Sequence, residues 1–233
     1  MKLKVAEIQS ICRSIGVQTS GTKQEVVDRL VDHIDQTLSQ PPPQSVLAID
    51  VGTANMGFIH IESDWKANSR RIIDWNVLHP SLPTTYQPVQ YVQELQSLLD
   101  TNLPSSFDTV LVERQSWRRA VPHSILRSTA FEAMLVGMMA SRLKSIKSVL
   151  PTAVATHFDL NGSDAAASRR YTQKKRNAVA VAQGILGGIE CPPMLKKRFM
   201  EAKKKDDMSD ALLMAIAYLD WHHSIQKLSA PQK

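Results

Sequence analysis

"SVLAIDVGTANMGFIHIE" (residues 45–62) decides the fold. An apolar run closes on one carboxylate, Asp50, a glycine follows at once at Gly52, and a second apolar run opens at Met56. Moving a bare carboxylate from water into an apolar setting costs several kcal/mol unless something pairs with it. Asp50 therefore either caps a turn or holds a cation.

The same arrangement recurs in "FDTVLVE" (107–113), where Glu113 ends an apolar run. If the two strands are neighbours, Asp50 and Glu113 meet. Further on, "KDDMSDALLMAIAY" (205–218) carries Asp207 and Asp210 three apart, on one face at the start of an apolar helix. Acids there also suit the helix dipole, and Asp206 is read as no more than that. Gathered together, the other four would repel one another and cost stability unless cations sat among them. Hard oxygen ligands suit Mg²⁺, with Mn²⁺ a possible substitute. Two such ions roughly 4 Å apart activate a water and stabilise the leaving oxygen in phosphodiester hydrolysis.

Around these motifs the pattern alternates. Strands are expected near 46–51, 56–62, 71–78, 108–113 and 149–156, and helices near 86–100, 123–147, 173–187 and 207–226. That order implies an α/β fold, a mixed sheet flanked by helices, as in RNase H-like proteins. Ahead of it, "SQPPPQS" can continue neither a helix nor a sheet ladder and reads as a semi-rigid spacer. It separates a helical unit from the rest. In that unit Val5, Ile8, Ile11, Cys12 and Ile15, then Val26, Val27, Leu30, Val31 and Ile34, recur at helical spacing, and Thr22-x-x-Glu25 is a capping box. The expected divisions are 1–38, 39–45, 46–226 and a tail at 227–233.

With 233 residues, 43% of them hydrophobic, the chain can bury one substantial core and a small appendage. Cys12 and Cys191 lie far apart in no ligand-like spacing, so neither a disulfide framework nor a zinc site is indicated, and a reducing compartment fits. The best apolar stretch, "ALLMAIAYL" (211–219), is half a membrane span, so the chain is read as soluble. The net charge of +6 is unevenly placed: 18 Lys+Arg stand against 5 Asp+Glu between Arg114 and Lys205, and 10 against 17 elsewhere. Three basic runs, "RQSWRR" (114–119), "RRYTQKKR" (169–176) and "KKRFMEAKKK" (196–205), look like a phosphate-backbone footprint. Candidate DNA contacts in these runs are Arg114, Arg118, Arg119 and Arg176, with Trp117 either stacking on an unpaired base or packing on the next helix.

The N-terminal segment "LKVAEIQSICRSIGVQTSGTKQEVVDRLVDHI" resembles a SAP module, a helix-extended-helix DNA-binding motif, with Gly21, Lys23, Val26 or Val27, and Arg29 in its core pattern. The resemblance implies Lys23 and Arg29 as DNA contacts; a balanced charge leaves a protein-docking hairpin open. "LAIDVGTANMG" resembles the first motif of RuvC-type Holliday-junction resolvases through Asp50, Gly52, Thr53 and Gly57, "VLVERQ" their second, and "DDMSDALLMAIAY" their last. Joined to a SAP-like start, the set is most similar to the fungal mitochondrial resolvases. The family implies Asp50, Glu113, Asp207 and Asp210 as catalytic carboxylates and metal ligands, Lys174 and Lys175 as phosphate contacts through "YTQKKRNAVAVAQ", which resembles the basic start of its DNA-facing helix, and a homodimer that cuts opposed strands of a four-way junction. It also implies a mitochondrial location; Glu7 and the helical periodicity argue that the basic N-terminus folds rather than serving as a transit peptide. Apolar surface at 130–143 and 211–221 supports the dimer, unless a three-layer core absorbs both helices.

Two other classes compete. "DVGT" also resembles the phosphate loop of sugar kinases and actin-like ATPases, which need a duplicated core that the chain does not show. A non-catalytic SAP-type DNA-binding protein would leave four carboxylates unexplained.

Overall fold

The computed structural model describes residues 3–104, 106–115, 123–141, 145–160 and 167–229. Two helices come first, α1 (Val5–Ser14) and α2 (Lys23–Leu38). The elements that follow are β1 (Ser45–Asp50), β2 (Met56–Asp64), β3 (Ser69–Leu78), α3 (Pro88–Asn102), β4 (Thr109–Glu113), α4 (His123–Ala140), β5 (Ser145–Val149), α5 (Pro151–His157), α6 (Ala167–Ile185), α7 (Pro193–Glu201) and α8 (Lys205–Ser229). The strands form one sheet in the order β3-β2-β1-β4-β5. Strands β1 to β3 make an antiparallel meander, and β4 joins β1, and β5 joins β4, in parallel. This is the RNase H-like architecture expected from the element order. Among the described residues there is a single sheet and no second copy of it.

Strand β1 lies at the centre with both faces covered, which is why it reads as a continuous apolar run. Val46 and Ala48 join Ile59, Ile61, Ile72, Trp75 and Leu111 on the face packed by α8, α6 and α7. Leu47 and Ile49 join Phe58, Val110 and Val112 on the face packed by α3 and α4. From Ala211 to Leu219 every residue of α8 is buried. Its apolar surface is absorbed within the chain, and at about 1.5–3 kcal/mol for each large side chain removed from water it anchors the molecule.

Three expectations change. The strand placed at 149–156 is β5 at Ser145–Val149 followed by α5 at Pro151–His157. "VLPTAVAT" is rich in β-branched residues, but Pro151, with its fixed φ and no N–H to lose, starts a helix at its first turn. The helix placed at 123–147 stops at Ala140, which frees "SIKSV" for the sheet edge. Helix α7 had not been expected at all.

The proline segment is not a free spacer. Trp65 Nε1 donates to the Pro43 carbonyl at 2.7 Å, and the Gln44 and Ser45 amides donate to Asp108 Oδ2 at 2.7 and 3.0 Å. The helical unit has a small core of Ile8, Cys12, Ile15, Val17, Val26 and Leu30, and it is completed by Ile225 of α8. Val5 and Val31, read as part of its apolar faces, are 48% exposed. The Thr22–Glu25 capping box is present. At Gly16, φ is +74° and a Cβ would lie 2.5 Å from the Trp221 ring, so only glycine lets the turn settle on α8.

Candidate active site

Parallel neighbours end on the same edge of a sheet, and β1 and β4 bring Asp50 and Glu113 there together. On the antiparallel side Asp50 pairs with Gly57 of β2. A Cβ on Gly57 would collide with the Asp207 carbonyl oxygen. The missing side chain therefore lets the first turn of α8 rest on β2 beside Asp50. A Cβ on Gly52 would likewise strike the Asn55 carbonyl, so this glycine permits the tight turn between β1 and β2. Sequence positions as distant as 50, 113, 207 and 210 thus line one cavity of about 420 Å³, with Lys174 and Lys175 of α6 also in its wall.

The acids burden one another. Burial, a hydrogen bond with Glu113, and the charges of Glu113 and Asp207 push the Asp50 carboxyl well above the usual range. Burial raises Glu113 too; the Asp50 hydrogen bond pulls it back, and the Asp210 charge adds to the rise. A proton shared between Asp50 and Glu113 relieves part of that repulsion. Asp210 is pushed up to about 7 by burial and by the Asp50 charge, against Lys175 and Lys174. Burial and neighbouring Asp206 raise Asp207, and its Oδ2 is buried with no hydrogen-bond partner. Asp206 is different. Burial raises it, but a hydrogen bond and ion pair with Lys175 outweigh that and hold it below the ordinary value.

Among the described residues no three Asp, Glu, His or Cys side chains close into a ready-made cation cage. Nevertheless the chemistry of the set fits a divalent cation: hard oxygen donors, mutual repulsion that Lys174 and Lys175 offset only in part, and one buried orphan oxygen at Asp207.

The basic candidates divide. Lys174 and Lys175 both face the cavity. Arg176 lines an adjoining groove with Lys203 and Lys205. Arg114 borders a separate cavity with Gln18 and Glu132. In the helical unit Lys23 Nζ donates to the Leu3 carbonyl at 2.8 Å, and Arg29 Nη1 to the carbonyls of Gln18 and Ser20 at 2.6 and 3.1 Å. Both cations bind their own module. Trp117, Arg118 and Arg119 lie outside the described residues. In the third basic run, Arg198 is structural: it pairs with Asp74 at 3.2 Å and donates to the Trp75 carbonyl.

Two residues at this edge escaped the sequence reading. Gln115 Nε2 donates to the Val51 carbonyl at 3.2 Å, and the Gln115 amide donates to Glu132 Oε2 at 2.9 Å. A lone acid in the apolar stretch "AFEAMLVG" was the available signal for Glu132.

The chain is similar to known proteins over most of its length. The SAP domain model matches residues 1–35, and the model described as Poxvirus A22 protein matches residues 44–223. The mitochondrial cruciform cutting endonuclease 1 of Schizosaccharomyces pombe is 25% identical over 96% of this chain and 94% of its own. The crystal structure of the yeast mitochondrial Holliday junction resolvase Ydc2 superposes with a TM-score of 0.70 at 19% identity, over 96% of this chain and 95% of that one. The fowlpox virus Holliday junction resolvase gives 0.49 at 16% identity, covering 76% of this chain and 97% of the other.

Proposed function

The chain belongs to the Poxvirus A22 protein family, and on that premise we propose that it is an Mg²⁺-dependent endonuclease that binds four-way DNA junctions and cuts two opposed strands. The observation that carries this reading is the meeting of Asp50, Glu113, Asp207 and Asp210 in one cavity faced by Lys174 and Lys175. A bare basic surface would bind DNA, but it would have no use for four half-buried acids that repel phosphate. The relative that aligns along almost the whole chain is a cruciform-cutting enzyme, which supports the junction as substrate.

The four carboxylates would hold the cation, whose chemistry is to acidify a bound water and polarise the scissile phosphate. Lys174 and Lys175 approach from α6 and bind the non-bridging phosphate oxygens. A proton shared between Asp50 and Glu113 keeps the two acids from facing each other fully charged. That proton must leave as the carboxylates take up a cation, so loading releases protons and weakens in acid. In-line attack by water leaves a 5′-phosphate and a 3′-hydroxyl. A homodimer would present two sites to the roughly two-fold symmetric junction. A mitochondrial location follows the S. pombe relative.

Incubating the pure chain with labelled four-way, linear duplex and flap DNA, with Mg²⁺ or EDTA, tests the proposal. Symmetric, Mg²⁺-dependent cuts confined to the four-way substrate are expected. Binding without cutting overturns it in favour of a DNA-binding protein.

A further inference from the structure

Strands β1 and β4 pair from Val46 with Thr109 to Ile49 with Val112, and there their ladder stops. Asp50 and Glu113 each stand one residue beyond the last pair. The two carboxylates most in need of a fixed separation thus lie where the ladder between their strands no longer sets it.

The dipeptide Arg114–Gln115 spans that opening. The Arg114 amide donates to the Val149 carbonyl of β5 at 2.8 Å. The Gln115 amide donates to Glu132 Oε2 of α4 at 2.9 Å, and Gln115 Nε2 crosses to the Val51 carbonyl, next to Asp50, at 3.2 Å. The exit of β4 is thereby tied to β5, α4 and the end of β1. The bond to Glu132 is charge-assisted and fixes the Gln115 backbone, the point from which its side chain reaches Val51. Glu132 borders the neighbouring cavity rather than the one lined by the four acids. Its carboxylate is committed to a backbone amide.

We propose that Gln115 is a positioning residue that sets the separation of Asp50 and Glu113, and that Glu132 aims it. This rests on reading the site as a metal-dependent nuclease. Neither residue touches the reacting atoms. Their effect is on the geometry of the carboxylate pair, where a displacement of about 1 Å is enough to cost on the order of 10²-fold in rate.

Gln115→Met keeps the length of the side chain and removes its donor. The single-turnover rate on a four-way junction at saturating Mg²⁺ should fall roughly 10- to 100-fold, with junction affinity in EDTA and the Tm unchanged. Calorimetric Mn²⁺ binding without DNA should weaken in the same variant. Glu132→Gln, which keeps a carbonyl acceptor, should retain most of the rate that Glu132→Ala loses. Cutting by Gln115→Met at the wild-type rate, or loss of rate and affinity in step, overturns the assignment. If the wild type binds Mn²⁺ but does not cut, the nuclease reading fails, and the calorimetric comparison alone decides for or against Gln115.

Discussion

At Asp50 burial and the neighbouring acids hold the carboxyl well above its usual range, and Asn keeps the same shape without a charge. Asp50→Asn should therefore leave the Tm in EDTA unchanged or higher and preserve junction binding. It should slow cutting by more than about 100-fold, because several kcal/mol of transition-state stabilisation go with the ligand; a gel assay of cutting beside a binding isotherm measures both. Asp210 gives a pH test. Its folded value of about 7 lies above the 3.8 of a free Asp, so between those values the native state binds the extra proton. Stability without a cation then falls as pH rises from about 4 to about 7. A plot of Tm against pH in EDTA should decline more steeply for the wild type than for Asp210→Asn, and Mg²⁺ should flatten the wild-type curve.

Between elements, the contact of α8 with β2 depends on the space left by Gly57. Gly57→Ala drives a methyl group into the Asp207 carbonyl, so the first turn of α8 must lift from the sheet. Thermal unfolding should show a loss of about 1–3 kcal/mol, the range for overpacked sites, and cutting should fall with it. Deleting residues 1–40 removes the partners of Ile225 and Trp221 on α8. Static light scattering should find the truncated protein prone to association, and it should retain metal-dependent cutting because all four acids follow residue 40. Much of this level was legible in the sequence. Asp50 and Glu113 could be placed because a charge that ends an apolar run is conspicuous, and the Asp207–Asp210 pair because helical spacing puts both on one face. The β5–α5 corner was not, since the β-branched residues around Pro151 pull towards a strand while the proline itself starts a helix. Gln115 and Glu132 were hidden for another reason: their partners are backbone groups brought close only by folding.

For the whole molecule, α8 is consumed by its own core, so any dimer must use other surface. Helix α4 turns Leu126, Ala133, Gly137 and Ala140 outward, and this is the face expected between two copies. Light scattering should give twice the 26.0 kDa chain mass, and Ala133→Arg should halve it and lead to singly nicked products from a cruciform plasmid. The sharing of Ile225 with the N-terminal helices has a consequence for biosynthesis. Ile8 and Leu30 leave the ribosome long before the residue that completes their core, and at 5–20 residues per second that interval is on the order of 10–40 s. Through that interval the interior of the first forty residues lacks one of its seven buried side chains. Its last core contact forms only when the far end of the polypeptide arrives.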